Sequence, residues 1–139
     1  MSYSSFQAVL DDPKVKSKDS IKRLVFVFGK HYYALDEERS KRGAGAENVA
    51  VVRIEEISPF PAKEIRDVIN SYKNAREFVW AQEEHRNMGA WSFAEPRFQR
   101  ILGVRLEYAG RDNKCAVVGI GALHAAEIKH ILSKPFDKF

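Results

Sequence analysis

Residues 80–98 read WAQEEHRNMGAWSFAEPRF, and within them two carboxylates and an imidazole stand side by side at Glu83, Glu84 and His85. A carboxylate beside an imidazole can move a proton, or the pair can ligate a metal. Alternatively, all three groups can bond backbone amides and arginines and hold a corner together. Spacing discriminates among these. In an extended segment neighbouring side chains point to opposite sides, so Glu83 and Glu84 do not form one carboxylate pair, and His85 falls on the side of Glu83. A metal needs three or four converging ligands; this run offers two at best, with no second histidine at helical spacing from His85. An acid/base site here also lacks a nucleophile. The expectation is a structural polar corner of Gln82, Glu83, Glu84, His85, Asn87 and Trp91, with no catalytic and no metal-binding residue in the chain.

Three other polar groups fall at the ends of apolar runs. Lys30 follows VFVFG, Arg111 sits in YAGRDNK, and Gly119 and Gly121 lie in VVGIGALH. Lys30 can meet an anion or lie on the surface. Arg111 is the better anion candidate, because a guanidinium forks onto carboxylate or phosphate. The glycine pair lacks the third glycine of a dinucleotide fingerprint, since position 124 is His124, and reads as a tight turn. His124 and His130 lie more than one helical turn apart and make no ligand pair. Cys115, the only cysteine, reads as a small buried hydrophobe, and a lone cysteine suits a reducing compartment.

The elements that must position these groups alternate along the chain. Residues 22–29 (KRLVFVFG) and 48–55 (NVAVVRIE) are continuous apolar runs, the texture of strands covered on both faces. A helix is expected between them, from His31 to a stop at Gly43, with Lys41 and Arg42 opposing the negative end of its dipole. After SPFP, the spacing of Ile65, Val68, Ile69 and Tyr72 predicts a second helix from Ala62. A third strand is expected over 76–83. A helix is expected to start near Glu95 with Pro96 in its first turn. Strands at 104–109 and 116–119 and a final helix through Ile128 and Leu132 complete the order. This alternation implies an α/β fold: five strands, mostly parallel, with helices on both faces. The last two strands are too close for a crossover helix, so one of them is expected to run antiparallel. Residues 1–20, polar with an apolar island at Phe6, Ala8, Val9 and Leu10, read as a linker or arm before a single domain at 21–139.

Composition narrows the function classes. A chain of 139 residues that is 45% hydrophobic has enough apolar material for one packed core. Its net charge of +4 comes from 23 basic and 19 acidic residues without blocks of like charge. That argues against nucleic acid as a partner, and no apolar run approaches the length of a membrane span. The first twenty residues carry no recognisable targeting signal.

VFVFGKHYYAL, VAVVRIEEISPFP, WAQEEHRNMGAWSFAEPRF, YAGR and VGIGALH, taken in order, resemble one family. This is the C-terminal domain of the thiamine-diphosphate-dependent first component of the 2-oxoglutarate dehydrogenase complex and of its 2-oxoadipate paralogue. GKHYYAL, WSFAEPRF and GIGALH are closer to the 2-oxoadipate type. The resemblance implies a transketolase C-terminal-domain-like fold and a fragment of a longer, mitochondrial matrix protein. The parent would decarboxylate 2-oxoadipate or 2-oxoglutarate and pass the acyl group to a lipoyl arm. Thiamine diphosphate and magnesium would be bound outside this fragment, because the family's Gly-Asp-Gly motif is absent from it; the chain itself would hold no cofactor. Implied partners are the preceding domains, a second copy in a homodimer, and the lipoyl-bearing and dihydrolipoyl dehydrogenase components. In this light the polar corner, with Trp91 and Phe93, faces neighbouring domains, and Lys30 and Arg111 match loops that contact a nucleotide-type effector in some relatives. The family's small hydroxyl- or thiol-bearing residue before Gly29 is Phe28 here. A standalone nucleotide- or acyl-CoA-binding module is the alternative.

Overall fold

The computed structural model describes residues 8–29, 31–42, 48–57, 59–85, 90–111 and 134–136, with the backbone alone described at 83–85, 110, 111 and 134. Its elements are β1 (Val9–Leu10), β2 (Arg23–Phe28), α1 (His31–Arg42), β3 (Val49–Ile54), α2 (Ala62–Ser71), β4 (Glu77–His85), α3 (Trp91–Arg97) and β5 (Glu107–Arg111). They form one sheet in the order β1-β3-β2-β4-β5. β3, β2, β4 and β5 run parallel, and β1 pairs antiparallel with β3.

The apolar run of β2 takes the central position, where it is buried on all sides. Leu24 to Val27 are fully buried. Their alternation sends Leu24 and Phe26 into one cluster, with Ala50, Val52, Ile65, Trp80 and Phe98. Val25 and Val27 enter the other, with Tyr32, Leu35, Val51 and Val79. α1 therefore covers one face, and α2 with α3 the other. The crossover from β2 to β3 moves one way along the sheet on the first face. Those from β3 to β4 and from β4 to β5 move the opposite way on the second, so all three share one hand. Phe98 is the hub of the second face, with ring centroids 5.0 Å from Phe26, 5.7 Å from Phe60 and 6.2 Å from Trp80.

The fold class expected from the sequence is the observed one, with differences in detail. The expected helix near Glu95 begins at Trp91 instead, which puts Pro96 inside it. The early start has a physical cause in Gln82, described below. Pro96 has no N–H to give to a preceding carbonyl, and the helix then widens into a π turn, Phe98–Leu102, that ends at Gly103 with φ +68°. Val104 donates its N–H to Phe98 O at 3.0 Å to close that turn, so the fourth expected strand starts later, at Glu107. It runs parallel to β4. Its expected partner at 116–119 and the final helix lie outside the described residues. The antiparallel strand that is described is β1, inside the segment read as an arm.

Residues 8–20 of that arm are docked on the sheet. Ala8 O accepts from Glu55 N at 2.7 Å, and Asp11 and Asp12 then diverge to opposite faces. Asp12, its side chain fully buried, accepts from the Arg39 guanidinium of α1 and, at 3.0 Å, from the Val51 N–H of β3. Arg39 also donates to Asp36 at 2.7 Å. Asp11 accepts from Tyr72 Oη at 2.5 Å, at the end of α2, and from Lys18 Nζ at 2.8 Å. Burial opposes ionisation of Asp11, but the hydrogen bonds from Lys18 and Tyr72 outweigh it and hold its carboxyl below the usual carboxylate range. Asp36 is likewise lowered, burial being outweighed by Lys14 and Arg39. Tyr72 is pushed well above the ordinary range by burial first and by Asp11 second.

Asp12→Ala removes one of the two carboxylates that hold the buried Arg39 charge and leaves the Val51 N–H without this acceptor. We expect a loss of about 3 kcal/mol in urea unfolding. Lys41→Ala, which breaks a 3.6 Å surface pair with Glu37, stays within about 0.5 kcal/mol. Because the folded pKa of Asp11 lies below its ordinary value of 3.8, its contribution is complete above that pH and fades as pH falls through the lowered value. Tyr72 behaves oppositely: its contribution is complete below its ordinary 10.0 and fades above it. The urea midpoints of the wild type and Asp11→Asn are therefore expected to differ at pH 7 and to converge toward pH 2.

Candidate functional site

Ligands in open α/β sheets gather beyond the carboxyl ends of the strands, where neighbouring crossovers leave in opposite directions. Here that switch lies between β2 and β4. β2 ends at Phe28, 40% exposed, and the chain turns at Gly29 with φ +77°, a left-handed conformation that glycine takes without strain. α1 begins two residues later, with the Tyr32 N–H donating to Gly29 O at 3.3 Å. β4 is the longest of the described strands and continues to His85. Its pairing with β5 is irregular: Ala81 opposes Ala109, and the next matched pair is His85 with Arg111.

Gln82 organises this edge. It is buried, and its Oε1 accepts from the Trp80 indole Nε1 and from the Trp91 backbone N–H, each at 3.0 Å. One amide oxygen therefore ties the strand to the first turn of α3, whose N–H groups have no intrahelical acceptor. This interaction starts α3 four residues before the expected position. Trp91 packs edge-on against Tyr108, centroids 5.2 Å apart, which fastens the same turn to β5. Phe93 lies 6.5 Å from Phe60 and carries the Arg97 guanidinium 3.5 Å above its ring.

The residues singled out in the sequence are distributed as follows. Gln82 and Trp91 meet through a hydrogen bond. Glu83, Glu84 and His85 are the last three residues of β4, and Arg111 is the last of β5, in register with His85. Lys30, Asn87, Cys115, Gly119, Gly121, His124 and His130 lie outside the described residues. Among the described residues no three His, Cys, Asp or Glu side chains are grouped to hold a metal ion.

Two polar constellations escaped the sequence reading. One is the Asp11–Asp12 clasp; the alternation applied to Glu83 and Glu84 applies equally to this pair and would have sent its carboxylates to opposite faces. The other surrounds Arg53, near the end of β3. Its guanidinium lies 4.8 Å from the Tyr32 ring centroid and 5.0 Å from that of Tyr33, and it donates to Tyr33 Oη and to Glu55, each at 3.0 Å. No spacing rule connects positions 32, 33 and 53, which only the β2–α1–β3 crossover brings together.

With this geometry in place, known proteins supply a context. The family model described as 2-oxoglutarate dehydrogenase C-terminal matches residues 1–136. The 2-oxoadipate dehydrogenase complex component E1 of Danio rerio is 42% identical over 135 residues, 96% of this chain and 15% of that protein. The Homo sapiens protein of the same name is 39% identical over 134 residues, 96% of this chain and 14% of that one. A 2-oxoglutarate dehydrogenase E1 component from an Exiguobacterium strain is 44% identical over 138 residues, with 96% and 14% covered. The chain thus spans about 15% of the length of the curated relatives it matches. Among solved structures, a split-gene transketolase described as an inactive beta4 tetramer superposes with a TM-score of 0.59 at 14% identity, over 83% of this chain and 38% of that one. That likeness shows a transketolase-like fold.

Gln82→Leu removes the shared acceptor while keeping the volume close. We expect a loss of about 2 kcal/mol in urea unfolding, because two donors lose their partner, together with a change in tryptophan fluorescence from Trp80.

Proposed function

The chain belongs to the 2-oxoglutarate dehydrogenase C-terminal family, and on that premise we propose that it is the carboxy-terminal domain of the first component of a 2-oxo acid dehydrogenase complex, of the 2-oxoadipate type. The observation that carries this reading is the coverage: 96% of the chain aligns with about 15% of relatives named as such components. In this reading the domain is residues 21–139 together with the docked part of the arm, whose β1 is a strand of its sheet, and the residues before that lead in from preceding domains. The parent decarboxylates a 2-oxo acid on thiamine diphosphate and hands the acyl group to a lipoyl arm. It acts as a homodimer beside the lipoyl-bearing and dihydrolipoyl dehydrogenase components in the mitochondrial matrix.

The sequence has no Gly-Asp-Gly run, and in this reading magnesium and the cofactor's diphosphate are held by other domains. This domain then supplies shape. Gln82 fixes the turn of Trp91, and the corner through Glu83, Glu84, His85 and Asn87 packs on neighbouring domains. The His85–Arg111 register places Arg111 at the same sheet edge as the Gly29 turn, which supports Lys30 and Arg111 as an effector pair.

The purified chain, supplied with thiamine diphosphate, magnesium and 2-oxoadipate, is expected to release no carbon dioxide, and a polypeptide carrying the preceding domains is expected to release it. Turnover by the chain alone refutes the reading. Calorimetric titration with AMP and acetyl-CoA tests the effector pair, with Arg111→Ala expected to weaken any binding observed.

A further inference from the structure

β1 fixes the point where the polypeptide enters this fold. It runs antiparallel to β3, with Val9 opposite Ile54 and Leu10 opposite Arg53. Ala8 O accepts from Glu55 N at 2.7 Å and from Glu56 N at 3.4 Å, so the arm comes in at the carboxyl end of β3. The bonds of Asp11 to Tyr72 and of Asp12 to Arg39 hold it there from both faces of the sheet.

Beside that point stands an ordered aromatic side chain that burial does not account for. Tyr33 is 59% exposed, more than Phe28 or Ile101. Three contacts hold it. Its Oη accepts from Arg53 Nη2 at 3.0 Å, its ring centroid lies 5.0 Å from the Arg53 guanidinium, and it meets the Tyr32 ring edge-on at 5.4 Å. Arg53 Nε donates to Glu55 at 3.0 Å, and the N–H of that same Glu55 meets the arm. Ordering an exposed side chain costs rotamer entropy and buries little in return. Tyrosine and arginine are the residues that anchor protein interfaces, and one that is already ordered spends less of its binding energy on immobilisation. The Arg53 charge is matched by Glu55, so this surface presents an aromatic face beside a paired charge and suits another protein surface.

We propose, on the reading that other domains precede the arm, that Tyr33, Arg53 and Glu55 form the surface on which the immediately preceding domain docks. The chain spans about 15% of the relatives named as first components, and its family is described as C-terminal, so the remainder of such a protein lies on the amino-terminal side. That remainder joins this fold through Ala8, whose carbonyl is bonded to Glu55, two residues from Arg53. A domain tethered there meets Tyr33 at high effective concentration. Ile101 is placed differently: it lies on the π turn that packs with α2 and α3 on the other face of the sheet.

The test compares the isolated chain with a polypeptide carrying the preceding domains. In hydroxyl-radical footprinting, Tyr33 is expected to be oxidised readily in the isolated chain and several-fold more slowly in the longer polypeptide. Tyr32 and Tyr72, both buried, are expected to react slowly in each and so report an unchanged fold. Tyr33→p-benzoylphenylalanine in the longer polypeptide is expected to photo-cross-link to the preceding domain of the same polypeptide, without doubling the mass. Tyr33 equally reactive in both proteins, or cross-links only to a second copy, overturns the proposal. Carbon dioxide release is measured on the same longer polypeptide. Release with Tyr33 unprotected overturns this docking surface alone; no release overturns the reading beneath it, and the docking surface with it.

Discussion

β2 has a strand on each side and an apolar cluster on each face, so it has nowhere to place a polar side chain except at its two ends. That constraint divides the molecule. At the amino end stands Arg23, buried and satisfied by Glu77 and by the carbonyl of Pro135. At the carboxyl end the chain must leave the core at once, through a glycine in a left-handed conformation. The parallel neighbours repeat the division, because their registers with β2 bring their own ends to the same two edges. The carboxyl edge gathers the groups with chemical potential and the amino edge holds the Arg23 anchor, with an apolar layer between them.

Within this layer the sequence was readable in proportion to how local the determining physics was. The runs at β2 and β3 are continuous because both faces are covered, and a continuous run is visible without knowing what covers it. The apolar face of α2 is set by spacing within ten residues, and Ile65, Val68, Ile69 and Tyr72 pack as that spacing requires. The start of α3 was missed for the opposite reason. It is set by an acceptor nine residues earlier, on a different element, and Pro96 was mistaken for the punctuation mark. β1 is only two residues long, too short for any period, and exists because β3 offers it an edge.

The candidate site was legible as a neighbourhood more than as a set of contacts. Sequence order alone brought Gln82 and Arg111 to one edge of the sheet. The role of Gln82 as shared acceptor needed coordinates, since either a solvated or a buried glutamine suits that position. Among the described side chains, two carboxylates of the arm tie elements together, Asp12 to Arg39 and Asp11 to Tyr72. A buried pair of this kind is costly to break when one partner is removed, because the other charge is left in the interior.

The bond between Arg23 and Pro135 spans 112 positions at 2.8 Å. A ribosome delivers one partner near the beginning of the sheet and the other more than a hundred residues later. During that interval the guanidinium has Glu77 as an anchor once β4 has emerged, but the lid over its other side is still unsynthesised. Nascent chains stalled before that point would hold all five described strands but lack this acceptor, so the Arg23–Pro135 bond closes late in synthesis.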